Sequence, residues 1–120
     1  KMKTEIKLLP NECFYGGAVN DGIYMPYKSG FSRDLRVWHA GNQATSALIS
    51  NRGRIIYSLK PFYYEFSENS VITQGEGITL KSVGHSLKCA YKAINAIFAP
   101  KNPNFKFETP ASPFLAQEST

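Results

Sequence analysis

The sequence predicts a mostly-β fold, an antiparallel β-sandwich closed by one amphipathic helix late in the chain. Three observations carry that expectation. Short apolar runs recur at even spacing between turn signals from Thr4 to Val83. The apolar period changes from strand-like to helical after Ser86. Strands come first and the single helix last, an order that disfavours a parallel sheet built from alternating strands and helices.

Taken in order, Thr4 to Leu9 (TEIKLL) alternates well enough for a first strand, and Pro10-Asn11 closes it. The segment Cys13 to Arg36 is rich in Gly and rings and reads as one long structured loop; Gly16-Gly17 within it signals a turn or bulge. Ser46 to Ser50 and Arg54 to Leu59 form a hairpin around Asn51-Arg52-Gly53, where Gly53 offers a left-handed position. Phe62 to Ser67, Ser70 to Gln74 and Gly77 to Val83 are the remaining strands, separated by Glu68-Asn69 and Gly75. Leu87, Ala90, Tyr91, Ala93, Ile94, Ile97 and Phe98 then fall on one helical face. Ser86 is placed to cap that helix, Pro100 to end it, giving a helix over 86–99 and a domain over 1–100. Residues 101–120 carry three of the seven prolines and no sustained period, and read as an extended linker or tail.

Composition narrows the function classes. One domain of 120 residues suffices for a modest core. No apolar run approaches the roughly 20 residues of a membrane span. Lys1 to Pro10 alternates charge and apolarity instead of carrying a signal-like apolar block. The net charge is +5, but the basic residues are scattered from Lys1 to Lys106 without a block, which argues for a solvated basic surface over a nucleic-acid arm. A single-stranded nucleic-acid binder, resting on charge plus rings, is the weakest expectation. Cys13 and Cys89 have neither the spacing of a metal site nor that of a disulfide framework, and read as buried free thiols ahead of a disulfide. His39 and His85 are isolated, and neither a GxSxG elbow nor a phosphate-binding GxxxxGK[ST] is present. No metal or cofactor is expected.

The chemistry-bearing residues gather between Cys13 and Arg36. Only two aspartates occur, Asp21 and Asp34. Asp21, in Asn20-Asp21-Gly22, serves either as turn chemistry or as a carboxylate offered to a ligand beside Tyr24 and Tyr27. Asp34, between Arg33 and Arg36, reads as an ion pair ordering the loop. A glycosidase acid/base pair needs two carboxyls about 5 to 5.5 Å apart in retaining enzymes, and nothing marks Asp21 and Asp34 for that role. Trp38, the one tryptophan, is either a core anchor or a stacking platform for a sugar ring.

A resemblance connects these pieces. Tyr15-Gly16-Gly17-Ala18-Val19-Asn20-Asp21-Gly22 with Met25-Pro26-Tyr27 resembles a run in the amino-terminal region of family 31 glycoside hydrolases, the α-glucosidase and α-xylosidase group. Gly41-Asn42-Gln43, Leu48 to Arg54, Tyr57-Ser58 and Pro61-Phe62 are similar to its next motifs. Ser86-Leu87-Lys88, Ala90-Tyr91, Phe98-Ala99-Pro100 and Phe107-Glu108-Thr109-Pro110 follow in the family's order. Departures are the missing Trp and acidic residues around Tyr57 to Lys60, and ASPFLAQEST after Pro110 in place of the family's entry to its barrel. The resemblance implies a galactose-mutarotase-like sandwich that packs on a (β/α)8 barrel and lends a loop to the active-site mouth, with both catalytic aspartates on the barrel. It thus implies a non-catalytic domain of an α-glycosidase, with an α-linked sugar or oligosaccharide as the parent enzyme's ligand. Asp21 would bond hydroxyls, Tyr24 and Tyr27 would contact the ring, and Arg33 with Asp34 would hold the loop. The alternative is a free-standing carbohydrate-binding module using Trp38 or the Phe62 to Phe66 strand as platform.

Overall fold

The computed structural model describes residues 3–37 and 44–99. Among the described residues, eight strands form two antiparallel sheets of four. In chain order they are β1 (Thr4–Lys7), β2 (Phe14–Ala18), β3 (Ser32–Asp34), β4 (Ala44–Ser50), β5 (Arg54–Tyr57), β6 (Tyr63–Phe66), β7 (Ser70–Gln74) and β8 (Thr79–Ser82). The first sheet runs β1-β7-β6-β3 and the second β2-β4-β5-β8. One helix, α1 (Leu87–Phe98), follows the last strand. The molecule is a β-sandwich with one helix, as the sequence predicts.

Alternation explains the layering. Along β6, Tyr64 and Phe66 turn inward while Tyr63 and Glu65 are only half-buried. Strands β2, β4 and β5 of the second sheet bury both faces. Phe14, Leu48 and Ile56 face the first sheet, whereas Tyr15, Ala47, Ile49 and Ile55 face Leu87, Ala90 and Ile94 of α1. Two-sided burial is why SALIS and RIIY read as nearly continuous apolar runs rather than alternating ones. The Ser86 hydroxyl accepts from the Cys89 amide, so the expected cap is in place.

One expectation is corrected. Cys13 to Arg36 is not one loop: it supplies an edge strand to each sheet, β2 and β3, with a 3-10 segment, Val19–Tyr24, between them. Gly16 and Gly17, at φ 116° and 77°, obscured β2, because glycine carries no strand signal. The register shifts between Gly16 and Ala18, so the bulge expected there is present inside a strand. The expected tail over 101–120 lies outside the described residues. Among the described residues, no helix is long and apolar enough to cross a membrane.

Two contacts fix the turn end of the hairpin β4–β5. Gly53, at φ +76°, packs so closely on the Gly84 backbone that a Cβ would come within 2.3 Å of it. Arg54, at the start of β5, pairs with Glu12 in the connection between β1 and β2, and the Glu12 side chain is wholly buried. Burial alone would raise the Glu12 pKa, but Arg54, the Leu9 amide and Ser50 together hold it below its ordinary 4.5.

Gly53→Ala is expected to cost on the order of 2 kcal/mol in urea unfolding, since both the left-handed φ and the backbone contact oppose a side chain. Because the folded Glu12 pKa lies below the unfolded one, its contribution is fully present above pH ~4.5 and lost as pH falls through the folded value. Urea melts at pH 7, 4 and 3 should show stability falling with acid. Glu12→Gln should be less stable at pH 7 and show a shallower acid decline.

Candidate functional site

The polar and aromatic residues singled out in the sequence converge where β2 of one sheet lies near β3 of the other. Asp21 sits in the 3-10 segment directly after β2, and Arg33 sits on β3. Arg33 Nε donates to Asp21 Oδ2 at 2.8 Å and Nη2 to Oδ1 at 2.5 Å, a bidentate pair. Asp21 is 1% exposed, and the Arg33 side chain is 28% exposed. This carboxylate therefore faces a guanidinium across the sandwich edge, not solvent. The hydrogen bond from Arg33 Nε and Nη2 to Asp21 also raises the Arg33 pKa further.

Tyr27 backs the same edge from within. It is 6% exposed; its amide donates to Phe14 O and its hydroxyl to Gly16 O, so it is tied to β2 at two points. Burial, with Tyr64 beside it, drives the phenol well above its ordinary 10. Its ring stacks on Phe31 at 4.6 Å and lies 5.1 Å from Phe66. Gly17 makes room for the Tyr64 hydroxyl, which a Cβ there would meet at 2.1 Å. That hydroxyl is buried and has no partner in hydrogen-bond geometry among the described residues. The Gly30 amide donates to Phe66 O and the Phe66 amide to Phe31 O, which tie the far end of the segment to β6. Residues 19–31 thus run from one sheet to the other and are anchored on both.

This anchored segment presents its surface at Ile23 and Tyr24, 84% and 52% exposed. With Met25, Pro26, Lys28 and Phe31 they line a shallow hollow of about 510 Å3. The Tyr24 ring leans on Phe31 at 5.4 Å, and the Arg33 guanidinium carbon lies 5.8 Å from that ring. The Met25–Pro26 peptide bond is cis.

The residues named from sequence therefore divide. Tyr24 is at the surface, Arg33 is part-buried, and Asp21 and Tyr27 are in the wall behind them. Trp38 lies outside the described residues, as do His39 and Gly41-Asn42-Gln43. Arg33 pairs with Asp21, while Asp34 pairs with Arg36 at 2.8 Å. The Arg36 hydrogen bonds hold the Asp34 pKa down. Sequence reasoning missed Ile23 and Phe31. The run Gly22-Ile23-Tyr24-Met25-Pro26, three hydrophobic side chains between Gly and Pro, was the signal for an exposed apolar corner. Among the described residues, no three His, Cys, Asp or Glu side chains are grouped to hold a metal ion.

Compared with known proteins, the chain matches no protein-family model and no curated protein.

Arg33→Met leaves a buried carboxylate without its partner and is expected to cost about 3 kcal/mol in denaturant unfolding. Asp21→Leu combined with Arg33→Met should recover much of that loss. Equal and additive losses from the two changes would show that the pair does not act as a unit.

Proposed function

We propose that this chain is a non-catalytic, galactose-mutarotase-like sandwich domain of a family 31-like α-glycosidase. In this role it packs on a (β/α)8 barrel and lends the corner Ile23–Tyr24 to the mouth of the barrel's active site. The single observation that carries this reading is the exposed Tyr24–Ile23 corner on a segment anchored to both sheets. An exposed apolar corner backed by a buried ion pair suits a wall that shapes a substrate site without reacting. The ordered motif resemblance supports the same reading. Its first run lies on β2 and the 3-10 segment, its middle run on the β4–β5 hairpin, and a later one on α1.

Within this reading the residues take distinct parts. Tyr24 contacts the ring of an α-linked sugar or oligosaccharide. Arg33, fixed by Asp21, and Tyr27 hold the loop that carries Tyr24. Asp21 acts through Arg33, because both of its carboxylate oxygens are engaged. A sugar-binding module using the Phe62 to Phe66 strand is less well supported, since Phe62, Tyr64 and Phe66 are core side chains with no open ring face.

The chain alone should not hydrolyse a chromogenic α-glucoside, and titration with α-glucosides should give no millimolar binding. Turnover by the chain alone would contradict the reading, and binding at millimolar affinity or better would favour a free-standing module. In the polypeptide joined to its barrel, Tyr24→Ala should raise KM several-fold with kcat little changed.

A further inference from the structure

The two sides of the sandwich are closed unequally. On the β2/β3 side, residues 19–31 bridge the sheets. On the β1/β8 side a groove of about 490 Å3 runs between the sheets, lined by Ile6, Leu9, Thr73, Ile78 and Leu80 among others. Leu80 pairs with Ile56, whose side chain belongs to the core between the sheets, so Leu80 faces inward, yet it is 43% exposed. Thr73 shares the inward face of β7 with Val71, and its buried hydroxyl has no hydrogen-bond partner among the described residues. Among the described residues, β8 is the edge of its sheet. Its outer row of backbone amides and carbonyls therefore stands beside an apolar groove, the arrangement to which an extended segment adds.

Charge selects the occupant. Lys7 lines the groove and Lys81 lies on β8; both are exposed, and neither has an ion-pair partner among the described residues. Arg54, the other cation on the groove, is engaged by Glu12. Glu5, the carboxylate on the groove, accepts from the Ser70 hydroxyl. Setting Glu5 against Lys7 leaves Lys81, on the free edge itself, as the uncompensated charge. Lys81 pairs with Ile55, whose side chain faces α1, so Lys81 lies on the outer face of the sheet while Leu80 lies on the inner one. The helix over that outer face carries Lys88 and Lys92 and no carboxylate. A strand beside β8 would thus meet an apolar surface on its inner side chains and positive charge on its outer ones. A second copy is a poor fit, because two β8 strands paired edge to edge would bring two Lys81 side chains onto one face.

We infer that the free edge of β8 takes an extended segment of a partner protein that alternates apolar and acidic residues, its apolar side chains entering the groove beside Leu80 and its carboxylates facing Lys81. This inference does not depend on the sugar reading. It is tested by NMR on the full chain with two short synthetic peptides as probes, one alternating valine with glutamate and the other valine with lysine. The glutamate peptide should shift the β8 amides saturably and slow exchange of those that point away from β5. The lysine peptide should bind several-fold more weakly. Lys81→Glu should reverse that preference, while the β4 and β5 amides, which report that the sandwich is folded, stay unchanged. No saturable shift at β8 with either peptide would overturn the inference, as would equal binding of the two or a preference that survives Lys81→Glu. Protection of the outward β8 amides without any peptide would also overturn it. If independent of protein concentration, such protection means that the chain covers its own edge; if it grows with concentration, a second copy does.

Discussion

The bidentate pair between Asp21 and Arg33 is the contact on which the candidate site depends. It joins a 3-10 segment leaving one sheet to an edge strand of the other. A buried carboxylate is costly without a partner, so the pair constrains where both sheet edges lie. Tyr27 adds a second restraint by bonding to β2 and stacking on Phe31. With both in place the exposed corner at Ile23 and Tyr24 has little freedom to move. A surface that selects a ligand by shape needs that stiffness, since ordering a loose loop on binding offsets affinity.

The second sheet supplies the platform for this arrangement. Its strands β2, β4 and β5 are buried on both faces, by the first sheet on one side and α1 on the other. β2 can therefore tolerate two left-handed glycines and a register shift, because its Phe14 and Tyr15 are gripped in separate cores. Gly17 is required at its position by the Tyr64 ring behind it. The glycines that resemble a loop in sequence thus serve close packing between layers.

Much of the architecture was legible because its signals are local. The Asn51-Arg52-Gly53 hairpin, strand β7 and α1 with its Ser86 cap all rest on patterns within a dozen residues. β2 and β3 were not legible. β2 is interrupted by Gly16-Gly17, and the three residues of β3 show no apolar alternation. The site was legible in part for a related reason. Asp21, Tyr24, Tyr27 and Arg33 cluster in sequence, so their proximity was foreseeable. Which of them faces solvent was not, because that depends on the 3-10 segment turning Asp21 inward toward β3. The pairing of Arg33 with Asp21 rather than Asp34 has the same origin: alternation along β3 puts Arg33 and Asp34 on opposite faces.

Closure of one sandwich edge by residues 19–31 makes a definite statement about motion. The segment should be as ordered as the strands it joins. Backbone 15N relaxation across Gly22 to Phe31 measures this directly. The account predicts order parameters near ~0.85, equal to those of β4 and β5. Values below about 0.6 in that segment, with rigid strands on either side, would contradict it.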